Sequence, residues 1–251
     1  MLTLGLETAT RFTSAALVDG DELLAEYTYC GPSRPSQVLM TMVDRLFRDA
    51  GLDRSRLAAV AVGAGPGSFT GLRLGLATAQ GLAYALGIPV VGVSTLEAMA
   101  FPWLGTGRLV VPVLDAQRGR VYAAGYPGSG VSPAGAPGGF IPRTVEWEIL
   151  LDHLAGELAQ RAVDDRGLVI LVGEWAWAHR EEVVSRLGPR ALVVEPQLAY
   201  PRAAVVARLG RAALQAGDRG DPFALRALYL RRSEAEELWE KRQSGTSTGF
   251  I

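Results

Sequence analysis

Apolar and polar positions follow an order along the chain that occurs twice. Residues 2–6 form an apolar run ending on Glu7. Residues 13–18 and 23–29 predict two further strands, with Asp19-Gly20-Asp21 as the hairpin turn between them. Helical periodicity covers 36–50, a buried strand is predicted at 57–63, a helix at 70–86, another buried strand at 88–93 and a helix from 94 to 101. The second half restarts with an apolar strand at 108–114 ending on Asp115. A turn through Gln117-Arg118-Gly119 leads to a strand at 120–126. The Gly-, Pro- and Ser-rich stretch from Tyr126 to Gly139 reads as a loop leading to a third strand. A helix at 145–161, a strand at 168–172, a helix near 176–187, a short strand at 191–194 and a helix at 203–216 complete the pattern.

Each half thus runs through three strands before its first helix. That predicts a duplicated α/β fold of two lobes, each a mixed sheet flanked by helices. A simple Rossmann sheet would begin β-α-β. The division is expected near Pro102–Gly107, giving a first lobe at 1–102 and a second at 103–218. Residues 219–251 have no counterpart in the repeat and are expected to return to the first lobe. The last residues, 244–251, read as weakly ordered.

Composition narrows the chemistry. There are 25 Lys plus Arg and 26 Asp plus Glu in 251 residues, a balance that argues against a dedicated nucleic-acid binder. Arg118, Arg120, Arg226, Arg231 and Arg232 read as scattered solvated arginines. Lys241 is the sole lysine, which disfavours a P-loop or a Schiff base in the main body. Cys30 is the sole cysteine, and His153 and His179 are far apart, so no metal site is expected. No leader pattern follows Met1 and no apolar stretch approaches the ~20 residues of a membrane span, so a cytoplasmic location is expected.

The segment Gly63-Ala64-Gly65-Pro66-Gly67-Ser68-Phe69-Thr70-Gly71-Leu72-Arg73 lies between a predicted strand and helix. Its glycines permit positive φ, and Ser68 or Thr70 can cap the helix. Two readings stay open: an anion site at a helix start, or a tight turn that lets the helix pack closely. Glu7-Thr8-Ala9-Thr10 and Asp115-Ala116-Gln117-Arg118-Gly119 occupy matching turns of the two halves. They resemble the phosphate turns of actin-like ATPases and sugar kinases, which read Asp-x-Gly-Thr at the first position. Glu7 and Ala9 depart from that pattern, and Gly173-Glu174-Trp175-Ala176 puts bulk where those enzymes have an adenine loop. Both turns therefore read as degenerate, with Asp115 and Arg118 acting structurally or at a lobe junction.

On the helix at 36–50, Leu39, Met42, Val43, Leu46 and Phe47 make an apolar arc. On the next, Gly71, Gly75, Thr78 and Leu82 line one face beside Leu72, Leu76, Ala79 and Ala83. These arcs are wider than one sheet needs, and they are expected to form a partner surface. The alternative is that this chain's own sheet consumes them.

The loop Gly65 to Arg73 resembles the signature loop of the TsaB (YeaZ) family. Glu7-Thr8-Ala9-Thr10, Gly92-Val93-Ser94-Thr95-Leu96-Glu97-Ala98, Asp115-Ala116-Gln117-Arg118-Gly119-Arg120-Val121-Tyr122 and Tyr229-Leu230-Arg231-Arg232 agree in order. Arg34-Pro35-Ser36-Gln37 departs from the His-Ser or His-Thr common there. The resemblance implies an actin-like, ribonuclease H-like fold. It implies a non-catalytic partner and activator of the transferase TsaD, in complex with TsaD and TsaE. TsaD places a threonylcarbamoyl group on the tRNA adenosine next to the anticodon. Contact with tRNA is then expected through TsaD, and pairing, with TsaD or as a homodimer, through the first lobe's helices. TsaD holds a metal through His-x-x-x-His on its first helix, and residues 36–43 here contain no His. No resident cofactor is expected, with room left for weak nucleotide binding. The alternatives are an actin-like ATPase or small-molecule kinase, which needs intact phosphate turns, and a metal-dependent peptidase or transferase acting alone, which needs a ligand cluster.

Overall fold

The computed structural model describes residues 1–31, 35–128, 142–160 and 168–230. Strands β1 (Leu2–Glu7), β2 (Thr13–Asp19) and β3 (Glu22–Tyr29) form an antiparallel meander, turning at Gly20 with φ 59°. Strand β4 (Ala59–Gly65) pairs parallel to β1, and β5 (Val90–Ser94) parallel to β4, giving the order β3-β2-β1-β4-β5. The second sheet contains β6 (Leu109–Asp115), β7 (Arg120–Ala123), β8 (Arg143–Glu146), β9 (Val169–Val172) and β10 (Ala191–Val193). Its order, β10-β9-β6-β7-β8, is the first sheet's order read from the other edge, with the same parallel and antiparallel pairings. Two copies of this ribonuclease H-like topology make the duplicated actin-like fold.

Side chains along β1 and β4 alternate between the two faces of the first sheet. Leu2, Leu4, Leu6, Val60 and Val62 form one core with helices α1 (Pro35–Asp49) and α2 (Phe69–Leu86). Burying each large aliphatic side chain contributes roughly 1.5–3 kcal/mol. Ala61 and Val93 face the other way, toward α7 (Ala203–Gln215). Helix α7 follows the second sheet in sequence, yet it packs on β1, β2 and β4 of the first. The assignment of 103–218 to one C-terminal lobe is corrected accordingly. Gly5 and Gly210 permit this docking, because a Cβ at either would strike Ala203 or Ala61 across the interface. First-lobe strands also satisfy the helix's leading N–H groups: Ala203 donates to Ser14 Oγ at 3.0 Å and Ala204 to Glu26 Oε1 at 3.0 Å.

Helix α3 (Thr95–Ala100) carries the chain toward β6. Helices α4 (Trp147–Gln160), α5 (Glu174–Ala178) and α6 (Arg180–Leu187) cover the second sheet. The single helix expected over 176–187 is two, because His179 at φ −106° interrupts it. Residues 219–230 run back along the first lobe. Val90 N–H donates to Gly220 O at 2.8 Å, and Leu228 N–H to Ala64 O at 2.7 Å. The loop and arginine readings at 129–139 and at Arg34, Arg231 and Arg232, and the tail, fall outside the described residues.

Candidate functional site

A cleft of about 850 Å³ lies between the lobes, walled by the turns after β1 and β6 and by the segments after β4 and β9. Glu7, at the end of β1, is fully buried. Its carboxylate accepts from Ala9 N–H at 2.6 Å and from Thr95 Oγ1 at 3.2 Å. Burial pushes its pKa from 4.5 up to about 7 against the opposing pull of these bonds. The turn beyond it is packed by the chain itself. Thr8 Oγ1 donates to Gly71 O at 2.7 Å, and Ser68 N–H donates to Ala9 O at 2.7 Å. A Cβ at Gly67 would run into Ala9, and one at Gly71 into the carbonyl of Thr8.

These contacts bear on the two readings of the signature loop. Gly65 has φ 106° and is joined to Pro66 by a cis peptide bond. Ser68 caps α2 by accepting from Gly71 N–H at 3.3 Å. The N–H groups of Ser68 and Gly71 are thus engaged within the protein, and the glycines serve close packing. At the cleft rim Arg73 stacks on Phe69 at 3.9 Å, and Phe69 meets Tyr229 at 5.5 Å.

The second lobe's turn is built differently. Asp115 is exposed and accepts from Gln117 N–H at 2.6 Å. Gln117, Arg118 and Gly119 all have positive φ (66°, 58° and 71°), and Ala116 N–H closes the turn on Arg120 O at 2.9 Å. Gly173 has φ 145° and lies so close to Val113 that a Cβ would meet its carbonyl. Trp175 lines the cleft and stacks on His179 at 4.3 Å. His179 is half-buried with Nδ1 2.8 Å from Trp175 O. Arg11 reaches across the cleft to Glu174. The sequence held no signal for that pair, whose members lie 163 positions apart.

The expected partner surface requires correction. Leu39, Met42, Val43, Leu46, Leu72, Leu76 and Ala79 are buried, and all but Leu72 belong to the core under the first sheet. Gly71 and Gly75 face Thr8 of the same chain, not a neighbour. Thr78 and Leu82 are half-buried. The physical reason is that two helices must cover one face of a five-stranded sheet, and that uses both arcs. Beyond Phe69, Thr70 and Leu86 at its ends, α2 leaves outward Arg73, Ala77, Gly81, Tyr84 and Ala85. Arg226 bonds to the carbonyls of Phe223 at 2.6 Å and Leu225 at 2.9 Å, so it serves its own segment. Among the described residues, no group of three or more His, Cys, Asp or Glu could hold a metal, and no helix is long and apolar enough to cross a membrane.

Residues 33–133 match the family model of TsaD, the tRNA N6-adenosine threonylcarbamoyltransferase. The chain is 29% identical over 243 residues to the Bacillus subtilis tRNA threonylcarbamoyladenosine biosynthesis protein TsaB, covering 97% of this chain and all of that protein. It is 39% identical over 128 residues to the Escherichia coli TsaB protein, half of this chain and 55% of that one. Among solved structures, YeaZ from Pseudomonas aeruginosa superposes with a TM-score of 0.69 at 26% identity, over 91% of this chain and 99% of that one. In sequence over nearly its whole length, and in fold, this chain is similar to the TsaB (YeaZ) proteins of tRNA threonylcarbamoyladenosine biosynthesis.

Proposed function

We propose that this chain is the non-catalytic, cytoplasmic partner of a TsaD-type transferase, acting with TsaD and TsaE to place threonylcarbamoyl on the tRNA adenosine next to the anticodon. The observation that carries a partner role is the outward face of α2. Arg73, Ala77, Gly81 and Ala85 recur there every four residues, all exposed, with Leu74, Thr78 and Leu82 half-buried beside them. A helix-interior glycine in solvent is unfavourable by roughly 0.5–1 kcal/mol relative to alanine. A Cβ at Gly81 would meet no described atom within 4 Å. A small residue kept there against its own helix propensity suits the close approach of a second backbone. The packed turn at Glu7–Thr10, and the lack of His on residues 36–43, support a chain that lends a surface and leaves the chemistry to its partner.

Calorimetric titration with TsaD from the same source tests this. Gly81→Arg is expected to weaken binding about ten- to a hundredfold, the size of an overpacked contact, while circular dichroism stays unchanged. Undiminished affinity would remove this face from the interface. Failure of the unsubstituted chain to bind would sink the partner reading. ATP turnover by the chain alone on the order of 1 s⁻¹, typical of enzymes, would sink the non-catalytic one.

A further inference from the structure

Arg11 and Glu174 join the two lobes across the cleft. Arg11 sits on the turn between β1 and β2, and Glu174 begins α5 behind β9. Arg11 Nε lies 2.7 and 2.8 Å from the two carboxylate oxygens, and Nη2 donates to Oε1 as well. Two-point recognition of this kind fixes orientation as well as distance.

The Arg11 side chain is held by neighbouring rings, and the backbone leading into Glu174 is fixed. The guanidinium lies 4.9 Å over the ring of Phe12, and Phe12 stacks on Tyr200 at 4.6 Å. Thr10 Oγ1 accepts from Phe12 N–H at 3.2 Å and holds the turn's shape. On the other side, Gly173 fixes the backbone in a conformation that glycine tolerates, and Trp175 is pinned against His179. An exposed ion pair usually gains little, because two free side chains must be ordered to form it. Here the Phe12 ring has already ordered the Arg11 side.

The same wall carries a tension. Trp175 Nε1 is buried with no hydrogen-bond partner among the described residues. Its ring lines the cleft beside Glu174.

We propose that the Arg11–Glu174 pair is a latch that fixes the opening of the interlobe cleft, and that releasing it lets the lobes part. The walls it keeps together carry Thr10, Ser68 and Thr70 on one side and Asp115 and Gln117 on the other. The latch does not depend on the partner reading, since both residues belong to this chain and lie away from the outward face of α2.

The test measures an interlobe distance in the full chain. Nitroxide labels are placed at Thr41→Cys on α1 and Ser185→Cys on α6, both exposed positions, in a Cys30→Ser background. Pulsed dipolar spectroscopy of the latched protein should give one narrow distance. Glu174→Gln should raise the open population ~2- to 5-fold, the range of an exposed pair. Arg11→Glu, which sets like charges opposite each other, should raise it further. Arg11→Glu combined with Glu174→Arg should bring back the narrow distribution. Urea unfolding confirms that each variant is folded. An unchanged distribution in folded Arg11→Glu would overturn the latch. So would a distribution that stays broad in the reversed pair, because the effect would then not be the pairing.

Discussion

Glu7 and Asp115 end the central strands of two sheets that share one strand order, yet the two carboxylates live in opposite surroundings. Glu7 is fully buried, held by Ala9 N–H and Thr95 Oγ1, with Gly63 leaving room for its carboxyl group. Asp115 stands in solvent and, among the described residues, holds its own hairpin through Gln117 N–H. The first turn has been folded inward against the loop of Gly67 and Gly71, while the second has been turned outward through three residues of positive φ. Duplication supplied the same backbone frame twice. What the chain does with each turn depends on whether a neighbouring loop can come close enough to fill it. Here glycines decide that.

The comparison breaks most severely if the inward packing is blocked. Gly71→Val would force a branched side chain into the carbonyl of Thr8. Overpacking typically costs about 1–3 kcal/mol and occasionally more. Backbone has no rotamer to give way, so a loss of about 3 kcal/mol or more is expected, read from urea unfolding. On the same helix Gly81→Ala should do the reverse. A Cβ there meets no described atom within 4 Å, and the chain should gain about 0.5–1 kcal/mol. If both substitutions destabilise alike, the glycines of α2 do not have the separate roles assigned to them.

The contrast between these glycines shows what the sequence could carry. The order of strands and helices was legible because buried runs and helical periodicity are local properties, and the repeat was visible for the same reason. The apolar arc at Leu39, Met42, Val43 and Leu46 was legible too, but not which surface it meets. An arc facing a partner and an arc facing one's own sheet look identical along the chain. Gly71 and Gly75 resembled a helix-packing face for the same reason. Their neighbour proved to be Thr8, more than 60 residues away. The placement of α7 on the first sheet, the Arg11–Glu174 pair and the stack of Trp175 on His179 rest on tertiary approach, and local pattern holds no record of it. The departures at Glu7 and Ala9 were readable along the chain, but the loop of Gly67 and Gly71 that packs against this turn was not.

Glu7 gives the next largest effect, and its sign follows from burial. In the unfolded chain this carboxyl titrates near 4.5, and in the folded protein near 7. Between those values the folded state keeps a proton that the unfolded state has lost. Stability from this group is therefore greatest below pH 4.5 and falls as pH rises through about 7, by on the order of 3 kcal/mol. Glu7→Gln keeps an oxygen for Ala9 N–H and abolishes the titration. The variant should match the unsubstituted chain to within about 1 kcal/mol at pH 5, where Glu7 is protonated, and exceed it at pH 8. Unfolding curves of the two proteins at both pH values check this, and curves that stay parallel would show that Glu7 does not carry the effect.

Asp115 should give the smallest effect, and that smallness sharpens the contrast with Glu7. Its bond to Gln117 N–H closes an exposed turn, and Asn at 115 can still accept with its side-chain oxygen, so the three positive-φ residues stay supported. Surface changes away from buried groups usually stay within about 0.5 kcal/mol, and Asp115→Asn is expected to fall there, with no change in the pH dependence that Glu7 sets. If the chain acts as a partner, threonylcarbamoyl transfer by the assembled TsaD complex should also stay within a few fold of the unsubstituted level (~3-fold is less than 1 kcal/mol). The measurement is tRNA modification by the reconstituted complex, with assembly followed by calorimetry in the same samples. A thousandfold loss with assembly intact would mean that the outward turn of the second lobe touches the reaction. The two carboxylates would then differ in the reverse sense: the buried one a structural anchor, the exposed one the group that has kept its chemistry.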